Sequence, residues 1–156
     1  MNVTASRPIN LIVIHCTASR CDRVLSPSDL DSLHRRRGFD GCGYHYYITR
    51  DGHTHAMRPL HRIGAHARGH NARSIGIAYE GGLLSDGTPA DTRTRAQRSA
   101  LRSLISRLLV LYPRSTVCGH RDLSPDLNGN GIIEPQEWLK QCPCFDASAE
   151  YATLRP

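Results

Sequence analysis

The sequence predicts an α/β fold in which a central mixed β-sheet is flanked by helices. Three observations support this fold class: short aliphatic runs suited to buried strands, one long amphipathic helix, and a tight-turn signal between two short extended segments. A length of 156 residues is typical of one domain with a single core. We therefore expect residues 1–156 to form one domain.

The strands of the predicted sheet are aliphatic or aromatic. Residues 9–16 (INLIVIHC) and 74–80 (SIGIAYE) are predicted to be buried strands, because their apolar side chains occupy both faces. Residues 44–50 (YHYYITR) form a third predicted strand, and residues 50–53 form the hairpin turn after it. Strict alternation places Tyr44 and Tyr46 on one face of this strand, with Tyr47 on the other.

Two helices are predicted between these strands and the C-terminal part of the chain. The segment 26–29 (SPSD) favours a helix start, and the helix that follows is expected to bury Leu30 and Leu33 and to end at Gly38. The second helix has apolar residues at three- and four-residue spacing from Ala100 to Tyr112, and proline 113 ends it. A short strand at 116–119 follows.

The charge of the chain favours an anionic partner. Twenty basic and 14 acidic residues give a net charge of +6. The sequence has neither a helix-turn-helix signature nor stacked aromatics, so no nucleic-acid partner is expected. It has no apolar run long enough to span a bilayer, so no membrane insertion is expected. No signal peptide is visible, and we expect the protein to be made in the cytoplasm.

Two histidines and one cysteine are candidates for a catalytic zinc site. His15 and His120 each lie at the end of a predicted buried strand, where side chains are held rigidly near a sheet edge. With the thiolate of Cys142 they would complete a three-ligand site that leaves one position open, as catalytic zinc requires. The separations along the chain neither support nor exclude this grouping. Lys140, the only lysine among 20 basic residues, lies two residues before the cysteine.

A second possible metal site lies between His120 and Lys140. Residues 126–137 (DLNGNGIIEPQE) match the twelve-residue calcium loop, with glycine at its sixth position. Its predicted calcium ligands are Asp126, Asn128, Asn130, Ile132, Glu134 and Glu137. Pro135 is expected to open an exiting helix that runs through Trp138. The alternative is an Asn-Gly-rich turn that binds no ion.

Five segments, in this order, resemble the zinc-dependent N-acetylmuramoyl-L-alanine amidases, a family that includes phage lysozyme-amidases and peptidoglycan recognition proteins. The segments are IVIHCTAS at 12–19, GYHYYITRDG at 43–52, IGAHARGHN at 63–71 with SIGIAYEGG at 74–82, GHRDLSPD at 119–126, and KQCPCFD at 140–146. The resemblance implies a peptidoglycan recognition protein-like amidase fold.

The resemblance also implies roles for individual residues. The zinc ligands of the family fall on His15, His120 and Cys142, and its catalytic tyrosine and lysine fall on Tyr44 and Lys140. Metal-activated water would then attack the amide between the lactyl group of N-acetylmuramic acid and L-alanine, with Lys140 stabilising the oxyanion.

Other matched positions are expected to bind substrate or to depart from the family pattern. His66 and Asn71 are implied to line the substrate groove. Cys144 stands where relatives often carry a small residue, and Ala78 stands where some carry a glutamate, so no glutamate base is assigned.

The resemblance leaves three functions open. The first is a monomeric amidase that acts on the cell wall after release or export. The second is a module that binds peptidoglycan without cutting it, although such relatives typically lack the cysteine ligand. The third is a phage-type regulator of a protein partner.

Overall fold

A computed structural model describes residues 6–155 and contains a five-stranded mixed sheet. The strand order is β4-β3-β5-β1-β7; β3, β5, β1 and β7 are parallel, and β4 runs antiparallel to β3. A separate parallel pair joins β2 to β6. The strands are β1 (Leu11–Cys16), β2 (Ser19–Arg20), β3 (Tyr46–Ile48), β4 (Thr54–Ala56), β5 (Ser74–Tyr79), β6 (Gly82–Leu83) and β7 (Thr116–Gly119).

Helices cover both faces of the sheet. The helices are α1 (Pro27–Arg36), α2 (Arg95–Leu111) and the short α3 (Ala147–Glu150). The aliphatic stripe of α2 packs on the face that carries Ile12, Ile14, Ile75 and Ile77. The other face packs against α1 through Leu30. Because both faces are covered, the central strands β1 and β5 bury nearly every side chain, which explains their uninterrupted apolar sequences. The predicted fold class is confirmed.

The helix starts follow from their capping residues. Ser26 accepts the backbone N–H of Asp29, and the carboxylate of Asp29 accepts the N–H of Ser26, which completes a capping box at α1. Thr94 and Gln97 form the same arrangement at α2. None of the helices within residues 6–155 is long and apolar enough to cross a membrane.

Two predictions about side-chain orientation are wrong. Leu33 is 42% exposed, whereas His34 is buried at 5%, because the position four residues after Leu30 faces the sheet. Tyr44 packs in the same cluster as Tyr47, while Tyr46 packs in the opposite core. Strand alternation does not extend to Tyr44, because β3 begins only at Tyr46.

A buried arginine connects two parts of the fold: the segment that precedes α2, and the helix α3. The side chain of Arg93 is 1% exposed, pairs with Asp91 and Glu150, and stacks on the Phe145 ring at 3.3 Å from its centroid. Its hydrogen bonds lower the pKa of Glu150, so the ion pair stabilises the fold above the ordinary glutamate pKa of 4.5. This contribution is lost as the pH falls through the lowered value.

Arg93→Met is expected to reduce the free energy of unfolding by roughly 2–4 kcal/mol at pH 7, because two carboxylates lose their buried partner. The measurement is urea denaturation. Arg98→Met is the matched control, since Arg98 also pairs with Asp91 but is 48% exposed. Its expected effect is below about 0.5 kcal/mol. Equal effects of the two variants would contradict this assignment.

Candidate active site

The two candidate histidine ligands lie side by side because their strands are parallel neighbours. His15 is the fifth residue of β1, and His120 follows the last residue of β7. Ile14 pairs with Gly119 in the register of these strands, so the next residue of each chain segment is a histidine. The two ring centroids are 4.6 Å apart. Parallel strands thereby bring together two residues that are far apart in sequence.

Backbone contacts position Cys142 beside these histidines. The backbone N–H of Cys16 donates to the Cys142 sulfur at 3.2 Å, and the N–H of Arg121 donates to the carbonyl of Cys142 at 2.9 Å. The close packing requires Gly119, because a Cβ there would lie 2.7 Å from Cδ of Pro143. The loop can therefore approach the end of β7 closely enough to present the sulfur to His15.

His15, His120 and Cys142 form the only group of three or more potential metal ligands within residues 6–155. Their ligand atoms lie within 4.8 Å of one another, and the Cys142 sulfur is 3.9 Å from His15 Nδ1. Tetrahedral zinc with one sulfur and one nitrogen ligand requires about 3.6 Å between them. Two imidazoles and one thiolate are also donors that zinc prefers. The residues therefore fit a zinc ion.

The electrostatic environment keeps both histidines in the neutral form that binds metal. Burial, followed by the neighbouring His66 and His120, lowers the pKa of His15 well below its ordinary value. Burial, with a smaller effect of Lys140, lowers the pKa of His120 to about 4. Because a neutral imidazole has a free lone pair, both side chains are ready to coordinate a cation near pH 7.

The metal-ligand group lies at the base of a cleft of about 620 Å³. Tyr44 and Lys140, the predicted catalytic residues, both line it. The Tyr44 ring centroid is 5.0 Å from that of His15. Burial raises the pKa of the Tyr44 phenol, so the hydroxyl stays protonated at neutral pH and is able to donate a hydrogen bond. The cleft therefore brings together all five residues implied as ligands or catalytic groups.

The predicted substrate residues His66 and Asn71 also line the cleft, and each has contacts within the protein. The Asn71 side-chain oxygen accepts the backbone N–H groups of His66 and Ala67, both at 2.9 Å. One ring nitrogen of His66 lies 2.9 Å from His15 Nε2, and the other lies 3.1 Å from the Ser74 hydroxyl. Their binding of substrate stays a prediction.

Three of the cleft residues that were not predicted from the sequence carry titratable or charged groups near the site: His34, Arg37 and Arg68. The ring of His34 accepts the N–H of Gly43 at 2.8 Å and packs 5.3 Å from the Tyr44 ring, so it helps to hold the tyrosine. Its position one helical turn after Leu30 was the available signal. Arg37 and Arg68 were missed because an exposed arginine has no sequence pattern that distinguishes it from other surface charge.

Cys144 lies outside the metal-ligand group. Its sulfur is 4.0 Å from that of Cys16 and donates to the carbonyl of Gly82 at 3.4 Å. A hydrogen bond with Cys142 raises the pKa of the Cys16 thiol to about 12. Cys16 and Cys144 are therefore packed thiols beside the site, and Cys142 is the sulfur that faces the histidines.

The predicted calcium loop is an irregular segment whose acidic groups bind its own backbone. Glu137 is buried and accepts N–H groups of Leu127, Asn128 and Glu134, while Asp126 accepts those of Gly129 and Gly131. The exiting helix is absent: Pro135–Glu137 form only a single 3₁₀ turn, because Trp138 is extended. No observation on the described residues supports calcium, and its binding stays a prediction.

Comparisons with known proteins agree with this arrangement. A family model described as N-acetylmuramoyl-L-alanine amidase matches residues 5–143. The endolysin of Klebsiella phage KP32 is 32% identical over 143 residues, which cover 92% of this chain and 85% of that protein.

Solved structures show the same fold. N-acetylmuramoyl-L-alanine amidase LysC from Clostridium intestinale URNW has a TM-score of 0.71 at 31% identity, covering 99% of this chain and 94% of that one. Wild-type Drosophila PGRP-LB has a TM-score of 0.69 at 22% identity, covering 97% and 84%. The family match spans most of the chain and includes the cleft residues up to Cys142. The chain therefore belongs to the N-acetylmuramoyl-L-alanine amidase family, and it is a peptidoglycan amidase.

Proposed function

We propose that this amidase is zinc-dependent and hydrolyses the bond between the lactyl group of N-acetylmuramic acid and L-alanine. The observation that carries the proposal is the convergence of His15, His120 and Cys142 at the base of an open cleft, with their ligand atoms within 4.8 Å. A three-residue site leaves a coordination position for water or substrate, which distinguishes a catalytic zinc site from a structural one.

The three residues would hold the ion with two neutral imidazole nitrogens and one thiolate. When bound, zinc supplies a Lewis acid that activates water and polarises an amide carbonyl. The protein holds one of the three residues rigidly for this chemistry, because His15 lies in the central strand β1 and is 1% exposed. The Cys16 N–H that donates to the Cys142 sulfur also helps to fix the position of this sulfur beside the histidines.

Lys140 is proposed to stabilise the negative charge that develops on the scissile carbonyl oxygen. Lys140 lines the cleft two residues before Cys142, and it has no ion pair within the described part of the chain. A side chain without an acidic partner in the protein is available to interact with the reacting group.

Tyr44 is proposed to position the reacting groups through its hydroxyl. The phenol remains protonated, since burial raises its pKa, and its ring packs between those of His15 and His34. Two packed neighbours restrict the ring, so the hydroxyl is presented to the cleft in a defined place. It is able to donate a hydrogen bond to the carbonyl oxygen or to orient the attacking water.

The cleft also carries an excess of positive charge. Arg37, Arg68 and Lys140 line it, and no aspartate or glutamate among residues 6–155 does. An anionic substrate is therefore favoured over a neutral one. Stem peptides provide such charge when their second residue is D-glutamate with a free α-carboxylate, and they lack it at that position when the residue is D-isoglutamine.

We expect muramyl peptides with D-glutamate to be cleaved with about fivefold higher kcat/KM than their D-isoglutamine counterparts, since an exposed charge pair contributes up to about 1 kcal/mol. Combined Arg37→Gln and Arg68→Gln substitutions should remove this preference. Arg36→Gln is the matched control, because Arg36 is the neighbour on α1 that does not line the cleft. A preference that survives in the double variant would exclude these arginines as its source.

The direct test of the proposed function is mass spectrometry of purified peptidoglycan after incubation with the zinc-loaded protein. Free stem peptides that begin with L-alanine are expected, and a chelator should abolish them. Folded protein that binds the polymer without releasing peptides would support the binding-module alternative. Cleavage that persists in a fully metal-stripped sample would contradict zinc dependence. A pull-down from host lysate tests the protein-partner alternative independently.

The proposed site of action is the cell wall, because the bond that is cut lies there. Phage endolysins are among the relatives of the chain. We propose that the protein meets its substrate after release or export from the compartment where it is made.

A further inference from the structure

His66 lies behind the metal-ligand group, between a zinc ligand and a buried serine. Its Nδ1 is 2.9 Å from His15 Nε2, and its Nε2 is 3.1 Å from the Ser74 hydroxyl. Ser74 is completely buried at the start of β5, the strand that pairs with β1. We infer that His66 is a positioning residue that fixes the ring orientation and the tautomer of His15. This inference rests on the proposed zinc site.

The contacts from His15 through His66 to Ser74 form a hydrogen-bond chain, which allows one arrangement of protons when metal is bound. His15 Nδ1 faces the Cys142 sulfur at 3.9 Å, so this nitrogen is the metal ligand and carries no proton. His15 Nε2 must then be protonated and donates to His66 Nδ1. His66 Nε2 is consequently protonated and donates to the Ser74 oxygen. Each donor has one acceptor, so the chain holds His15 in the tautomer that binds metal through Nδ1.

The protein provides space for the His66 ring by omitting side chains around it. A Cβ at Gly76 would lie 2.6 Å from ring atoms of His66, and a Cβ at Gly64 would lie 2.7 Å from them. Real Cβ atoms do not approach so closely, so both positions require glycine. The ring is therefore enclosed on two sides by backbone, which restricts rotation away from His15.

The backbone of His66 is held as firmly as its ring. The side-chain oxygen of Asn71 accepts the N–H groups of His66 and Ala67 at 2.9 Å, which closes the loop between them. Both ring nitrogens of His66 already have partners within the protein. In this inference His66 lines the cleft and acts through His15, whereas the earlier prediction has His66 contact the substrate directly. The measurements below distinguish the two roles.

The test is the zinc affinity of His66→Phe, measured by competition with a chromophoric chelator. Phenylalanine retains the ring shape and removes the acceptor, and we expect the zinc dissociation constant to rise about 10–100-fold, the usual effect of losing a partner of a metal ligand. His66→Gln restores an acceptor oxygen and should recover part of the affinity. His61→Phe, an exposed histidine outside this cleft, should bind zinc like the wild type.

A spectroscopic measurement tests the hydrogen bonds from His15 through His66 to Ser74 without any substitution at the site. Nitrogen-15 spectra of the imidazoles in the zinc-loaded protein should show His15 protonated at Nε2 and His66 protonated at Nε2. If His66→Phe does not fold, Ser74→Ala replaces it and is expected to give a smaller loss of affinity, because only the outer link is removed.

Two results would overturn the inference. Wild-type zinc affinity in His66→Phe, with a raised KM alone, would make His66 a substrate-binding residue. Protonation of His15 at Nδ1 in the loaded protein would exclude the proposed chain. Failure of the wild type to bind zinc is a separate outcome, since it would overturn the proposed zinc site itself and remove the basis for a positioning residue.

Discussion

Replacing Cys142 with serine is expected to lower amidase activity at least about 1000-fold and to abolish tight zinc binding. The sulfur is the only one in the metal-ligand group, and a neutral serine hydroxyl does not replace a zinc-bound thiolate. Loss of metal removes several kcal/mol of transition-state stabilisation, and each 1.4 kcal/mol corresponds to a tenfold change in rate. Release of L-alanine stem peptides and zinc content are the two measurements.

Cys144→Ser provides the matched control for Cys142→Ser. Cys144 is two residues away and its sulfur contacts Cys16 and the Gly82 carbonyl rather than the histidines. Zinc content should remain at the wild-type value, and activity should stay within about threefold, because serine is close in size to cysteine. Retained zinc in Cys142→Ser together with lost zinc in Cys144→Ser would show that the second thiol is the ligand.

Lys140→Met is expected to lower kcat about 100- to 1000-fold while the zinc affinity changes little. The loss of one group that stabilises an oxyanion typically costs this much, and methionine retains most of the length of the side chain. The ammonium of Lys140 lies in the cleft and is not one of the metal ligands. Steady-state kinetics on a soluble muramyl peptide and chelator competition separate the two effects.

Lys140→Arg is the informative companion of Lys140→Met. Arginine restores the positive charge but is larger and planar, so partial recovery of kcat is expected. Circular dichroism confirms that both variants are folded. A tenfold or larger loss of zinc affinity in Lys140→Met, or an unchanged kcat, would contradict a role in oxyanion stabilisation.

The two variants probe different parts of one short loop. In the proposed mechanism Cys142 acts through the metal and Lys140 acts on the substrate, although only one residue separates them. The chain presents both because Gly119 lets Pro143 pack against the end of β7. Any substitution at Gly119 should therefore disturb the ligand and the ammonium together.

Sequence alone was sufficient to predict the strands and helices whose apolar residues recur at a regular spacing or whose first residues form a cap. The buried strand β1, the amphipathic helix α2 and the capped start of α1 were all predicted, because local residue patterns determine them. Five matched segments were enough to identify the family. They also gave the positions of the candidate zinc ligands and of the two proposed catalytic residues.

Irregular segments were predicted less well. Tyr44 was assigned the wrong packing partners because it lies just before β3, where the alternation of a strand does not apply. The exiting helix of the 126–137 loop was predicted from Pro135, yet the buried carboxylate of Glu137 binds backbone N–H groups of the loop and the helix does not form. Local propensity is weak where long-range hydrogen bonds compete with it.

Sequence by itself determined the fold class and the family of this protein, and it predicted which residues are the candidate metal ligands. Only the tertiary structure decided that His15 faces Cys142 through Nδ1, that His66 and Ser74 stand behind it, and that Arg37 and Arg68 share the cleft with Lys140. The physical reason is that residue patterns report periodic burial within one element. Ring orientation and the charge of a cleft depend on side chains from separate elements that meet only when the sheet has formed.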